Sequence, residues 1–163
     1  ILVDADLRNP STAKVLGMQE QELGTLQVLK GEVKIEDAVQ PYKDTSVMVL
    51  AGSSPIQDTS TVLSGENMRQ FIKELEAKAD FVVIDTPPSA MLSDAAIVAQ
   101  YVDGAVFVIR QDYTEADRIL EGMEILSSSG AQITGCILND ANVKGNSSQH
   151  YKNSYRLKGE VKV

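Results

Sequence analysis

Tryptophan is absent from this chain, and it holds one histidine, one cysteine and three phenylalanines in 163 residues. A lone cysteine cannot close an internal disulfide, so a disulfide-stapled fold is excluded. A reducing compartment is expected, with Cys136, set in an apolar run, as a buried inert thiol. The single histidine, His150, falls in the polar tail. A His-based zinc site and a serine or cysteine triad with a core histidine are therefore excluded. No apolar run approaches the ~20 residues that a membrane-spanning helix needs, and no stretch reads as a signal peptide.

Positive charge is scarce as well. Lys and Arg number 15 against 23 Asp and Glu, a formal net charge of −8. The deficit is uneven: Lys144, Lys152, Arg156, Lys158 and Lys162 face only Glu160 in residues 144–163, giving +4 there and −12 in the body. An acidic body argues against a nucleic-acid groove across the main fold. The basic tail suits an acidic partner surface, lipid headgroups or plain solvent.

What is present is a regular alternation. Apolar runs at Ile1–Val3, Val47–Ala51, Phe81–Ile84, Ala105–Ile109 and Ile133–Leu138 are separated mostly by helical patterns. Strands alternating with helices predict βαβ units: an α/β fold of three layers, doubly wound, with a mostly parallel sheet and helices on both faces. Length and a 43% apolar content fit one domain with a core of its own. The spacing of Leu63, Phe71, Ile72 and Leu75 predicts a helix from about Ser60 to Lys78. Thr114–Asp117 reads as a capping box opening a helix that ends at Gly130. Residues 1–140 are expected to form the core, and residues 141–163 an extended or poorly ordered tail.

Two strand ends carry the chemistry. Ile1-Leu2-Val3 runs into Asp4-Ala5-Asp6-Leu7-Arg8. Side chains two apart on a strand share a face, so Asp4 and Asp6 present their oxygens together at the strand's exit. Ligands of open α/β sheets sit at those carboxyl ends. Phe81-Val82-Val83-Ile84 reads as a strand buried on both faces, ending in Asp85-Thr86-Pro87-Pro88. A carboxylate there is placed to hold a water of hydrated Mg²⁺, which takes one or two carboxylates and completes its shell with waters and phosphates. The plainer reading is a set of acidic turn residues. Tyr42, Tyr101 and Tyr113 read as half-buried structural residues.

Ile-Leu-Val-Asp4-Ala-Asp6-Leu-Arg8-Asn-Pro10-Ser11 resembles the Walker A-prime motif of bacterial tyrosine kinases, and Phe-Val-Val-Ile-Asp85-Thr86-Pro87-Pro88 resembles their Walker B motif. These are P-loop autokinases of capsule and exopolysaccharide production, within the wider group of MinD/ParA-like ATPases. Gly24–Gln40 is similar to the region between the motifs, and Thr134–Asn139 to the last core strand. The resemblance implies ATP and Mg²⁺ as cofactors and γ-phosphoryl transfer to C-terminal tyrosines. It casts Asp4 near the attacking hydroxyl or the metal, Asp6 in support and Asp85 as a Mg²⁺ holder. Arg8 would organise the phosphate end, and Asn139 would contact adenine or simply end its strand. Tyr151 and Tyr155 are the phosphoacceptor candidates. A transmembrane polysaccharide co-polymerase as activator, a tyrosine phosphatase and a homo-oligomer are the implied partners. The implied location is cytoplasmic, at the inner membrane face.

The chain departs from the family at Gly52-Ser53-Ser54-Pro55, where a proline-asparagine-proline stretch is usual, and at Thr61, where a glutamate is usual. No Gly-x-x-x-x-Gly-Lys-Ser/Thr occurs, although that loop holds the nucleotide phosphates in the family. The loop is expected upstream of Ile1, so the chain is read as a fragment without kinase activity of its own and with poor ATP binding. Two alternatives stand beside the kinase: a switch ATPase that hydrolyses ATP and dimerises, and a non-catalytic interaction module.

Overall fold

The computed structural model describes residues 1–91 and 93–141. Tyr151, Tyr155, His150 and nearly all of the tail lie outside these residues. In chain order the elements are β1 (Leu2–Asp4), α1 (Thr12–Leu16), α2 (Thr25–Leu29), α3 (Ile35–Ala38), β2 (Gln40–Pro41), β3 (Met48–Leu50), α4 (Glu66–Glu76), β4 (Val83–Asp85), α5 (Asp94–Val98), β5 (Ala105–Arg110), α6 (Ala116–Ser128) and β6 (Ile133–Asn139). A short 3₁₀ turn at Ala99–Tyr101 extends α5.

The α/β alternation produces the expected layers. One sheet runs β2-β3-β1-β4, parallel except for β2. Strand alternation sorts its side chains. Val3, Leu50 and Ile84 pack on one face with Leu26, Leu29, Phe71 and Leu75 from α2 and α4. Leu2, Val49 and Ala51 pack on the other, under Ala13 and Leu16 of α1. The α4 pattern explains its burial: Met68, Phe71, Ile72 and Leu75 recur at helical spacing and point into the core. The helix starts at Glu66 rather than near Ser60. Gly65 sits at φ +80°, a left-handed value that side-chain-bearing residues avoid, and this breaks the helical run.

The second sheet is a parallel pair, β5 and β6, with Arg110 opposite Asn139. It is tied to the rest through α5 and α6, where Ala95, Ala99 and Leu126 pack with Phe107 and Ile133. β4 and β5 each end their sheet, so the single sheet expected from sequence is two among the described residues. This split overturns three local expectations. β4 is not buried on both faces: Phe81 is 83% and Val83 60% exposed, because β1 pairs with only one edge of β4 and the cluster under α1 gathers at β1 and β3 without reaching these two side chains. Cys136 is exposed rather than buried, on β6 of the two-stranded pair. Tyr113 is 76% exposed, not half-buried, because it lies in the turn after β5.

Candidate phosphate site at the carboxyl rim

The geometry of the rim begins with register. β1 and β4 are adjacent parallel strands, and Asp4 is the register partner of Asp85. The amide of Ala5 donates to the Asp85 carbonyl at 2.8 Å, holding the pairing past the last strand residue. Two carboxylates from strands 81 residues apart therefore leave the sheet side by side, and Asp6 follows in the next turn.

Each carboxylate is differently committed. Asp4 is buried. Its Oδ2 accepts the amides of Ser11 and Thr12, both at 3.0 Å, and its Oδ1 accepts the Asp6 amide at 3.2 Å. It thus satisfies the free amides at the start of α1, a local need of any helix N-terminus. Three of its roughly four lone-pair sites are used in this way. The Oδ1 of Asp6 accepts the amides of Arg8 and Asn9 at 3.2 and 2.9 Å, the hydrogen bonding of an Asx turn. Asp85 is the most open of the three. Partial burial, then the charges of Asp4 and Asp6, push its carboxyl above the usual aspartate range, against the Thr86 amide that lowers it. A carboxylate raised by like charges is one that a cation would relieve.

The exit of β3 closes the floor of this rim. A Cβ on Gly52 would lie 2.2 Å from Cβ of Pro10 and 3.3 Å from Oδ2 of Asp4. Only glycine lets the two loops approach so closely.

The Arg8 side chain is committed to partners outside the three carboxylates. Its Nε donates to Asp94 Oδ2 at 2.8 Å and its Nη2 to Thr59 Oγ1 at 2.7 Å, while its Nη1 donates to the Gln57 carbonyl at 2.8 Å. Asp94 and Thr59 are fully buried. The Asp94 bond raises the already high guanidinium pKa. Sequence reasoning missed both partners: Asp94 reads as a helix-start residue, Thr59 as a loop residue, and nothing local marks a pairing across 86 positions. Asn139 ends β6 on the other sheet, beside Arg110. It is not among the residues gathered at the acidic rim. A cleft of about 320 Å³ lined by Asp80, Val82, Asp103 and Gly104 opens at the opposite, amino end of the strands, away from all of these carboxylates.

Among the described residues, no three His, Cys, Asp or Glu side chains converge tightly enough to cage a metal. That donor set fits hydrated Mg²⁺, which needs one or two carboxylates and takes its other ligands from water and phosphate. It does not fit an all-protein cage.

A family model described as ParA, the NUBPL iron-transfer P-loop NTPases, matches residues 1–163. The chain belongs to this family of P-loop NTPases. Tyrosine-protein kinase YwqD of Bacillus subtilis (strain 168) is 30% identical over 151 residues, 93% of this chain and 63% of that protein. The chain thus spans less than two thirds of that relative. The kinase domain of VpsO superposes with a TM-score of 0.79 at 30% identity, over 86% of this chain and 70% of that one. MinD from Pyrococcus horikoshii OT3, solved with Mg-ADP, gives 0.67 at 26% identity, over 84% and 56%. The fold is that of the nucleotide-handling P-loop proteins, and the curated relatives are bacterial tyrosine-protein kinases.

Proposed function

We propose that this chain is the larger part of a bacterial tyrosine autokinase domain that transfers the γ-phosphoryl of ATP to tyrosine. The observation that carries the reading is the registered pair Asp4 and Asp85 on adjacent parallel strands, with Asp6 one turn on. Phosphoryl transfer asks a protein mainly for positioning and charge neutralisation. Asp85 would hold Mg²⁺ through water, with Asp4 beside it. Asp4 and Asp6 would orient the incoming hydroxyl and accept its proton. Bound Mg²⁺ would supply charge neutralisation on the phosphates. Asn139 would meet the adenine, and Tyr151 and Tyr155 would be acceptors.

A phosphate-binding strand, loop and helix would complete this reading. The free edges of β4 and β5, with Phe81 and Val83 uncovered, suit a further parallel strand, and its loop would emerge next to Asp85. Capsule or exopolysaccharide control, a transmembrane activator, a tyrosine phosphatase, homo-oligomerisation and a place at the inner membrane face belong to the same reading by family likeness. The iron-transfer reading in the family description is disfavoured here. An iron–sulfur cluster takes about four thiolates, and these 163 residues offer Cys136 alone, so nothing in them favours that reading.

The likeness to MinD favours a second reading, a switch ATPase. Intact-mass analysis of the chain fused to a phosphate-binding strand and loop supplied at its N-terminus, incubated with ATP and Mg²⁺, separates the two. A kinase gains phosphates that are lost in a Tyr151→Phe, Tyr155→Phe double variant. A switch releases phosphate and gains no mass.

A further inference from the structure

One guanidinium joins three segments that follow neighbouring strands. Arg8 belongs to the exit of β1, Gln57 and Thr59 to the segment after β3, and Asp94 to the segment after β4. The Nη2 of Arg8 also reaches Asp94 Oδ1 at 3.3 Å, and the Thr59 hydroxyl donates to that same oxygen at 2.9 Å. The result is a closed network: a two-pronged Arg–carboxylate pair, braced by a hydroxyl and fastened to a backbone carbonyl. Lysine could not build it, since a point charge lacks the planar fork.

The network feeds directly into the acidic rim. The Arg8 amide is held by Asp6 Oδ1, and the Asp6 amide by Asp4 Oδ1. A shift of Arg8 is therefore passed to Asp6 and, through it, to Asp4 at the end of β1. Nor is Arg8 free to swing to a phosphate. Leaving would strand Asp94, fully buried, as an unpaired charge, and such charges are strongly disfavoured.

We infer that Asp94 and Thr59 are positioning residues of the phosphate site: they lock Arg8 so that the Asp4–Asp6 turn keeps a fixed place relative to Asp85. This rests on the reading of the rim as a metal–phosphate site, but its structural half can be measured separately.

The test uses the chain itself, with Asp94→Asn, Thr59→Val and Thr59→Ser variants. Amide hydrogen exchange reads the turn at residues 6–12, and titration of free Mn²⁺ by electron paramagnetic resonance reads metal affinity. In Asp94→Asn, exchange at residues 6–12 is expected to accelerate about tenfold, with α4 unchanged, the mark of a local opening rather than a global one. Mn²⁺ binding is expected to weaken severalfold. Thr59→Val, which keeps both charges, should show the same pattern more weakly, and Thr59→Ser should restore wild-type values. Unchanged protection at residues 6–12 overturns the inference. So does faster exchange spread evenly over α4 and the core, or unaltered Mn²⁺ affinity in Asp94→Asn where wild type binds. If wild type binds no Mn²⁺ but the local exchange effect is present, the metal half of the inference fails while the lock on the turn stands.

Discussion

Asp85→Asn is expected to make the ligand-free chain more stable. Asp85 and Asp4 are register partners on adjacent strands, which places their backbones roughly 5 Å apart, the spacing of neighbouring strands, and that spacing is taken as the scale for their charges. At that distance two like charges repel by about 0.8 kcal/mol in a water-like medium and by about 3 kcal/mol at an effective dielectric of 20. Asp85 lies at the exposed rim, so solvent screening holds the effect near the lower figure, about 1 kcal/mol. For a domain of this size that is a rise of roughly 3 °C in Tm. The pH dependence follows from the raised Asp85 carboxyl. A carboxylate whose pKa is higher folded than unfolded lowers stability wherever it is ionised. The penalty is complete above the folded value and gone below the unfolded one. The gap between Asp85→Asn and wild type should thus be widest at neutral pH and close as the pH falls through the raised value towards the ordinary aspartate range. Asp4 and Asp6 are the acidic groups facing it. Differential scanning fluorimetry from pH 4 to 8 measures this. Excess Mg²⁺ should narrow the gap by stabilising wild type alone. A variant less stable than wild type at pH 7, or a gap that widens on acidification, would refute the assignment of Asp85 to a repulsive pair.

The acidic rim was legible in the sequence because it depends on local facts. A short apolar run ending in Asp, twice, sets two strand ends, and the period of two puts Asp4 and Asp6 at the same exit. Parallel pairing then needs only the βαβ rule. The Arg8–Asp94–Thr59 network was not legible, because its parts lie 35 to 86 residues apart and each has an innocent local role. The short antiparallel strand Gln40–Pro41 escaped for a similar reason: proline fits a sheet only at an edge, and the edge is created by β3. Hydrophobic runs misled on burial at Phe81, Val83 and Cys136. A run of apolar residues records a need for cover, and only the neighbouring elements decide whether cover is present. The capping box at Thr114 also failed to form, since the Thr114 hydroxyl accepts the Arg110 amide instead and Glu115 takes the N-cap position without a side-chain bond.

Four further variants probe the packing around the site and the sheet edges. Asp94→Ala removes the buried partner of Arg8 and should cost about 2 kcal/mol in urea unfolding, below the ~3–5 kcal/mol of a wholly buried pair because the guanidinium keeps contact with water. No loss would show the pair to be energetically idle. Gly52→Ala drives a methyl into Pro10 beside Asp4 and should destabilise by about 1–3 kcal/mol. Gly135→Ala, whose Cβ meets nothing within 4 Å, should be neutral or slightly stabilising by the same assay. Equal effects at the two glycines would contradict the close approach of the β1 and β3 exit loops. Phe81→Ser with Val83→Thr tests the uncovered face of β4. Both side chains are largely exposed, so the folded state gives up little contact on their removal, and surface changes of this kind fall within about ±0.5 kcal/mol. The same side chains offer apolar area beside a free strand edge, the combination that promotes edge-to-edge association. The double variant should therefore keep its Tm while losing binding of a hydrophobic dye and self-association in analytical ultracentrifugation. A loss of 2 kcal/mol or more would mean that Phe81 and Val83 are packed in the folded chain, and the gap between β4 and β5 would then be closed in solution.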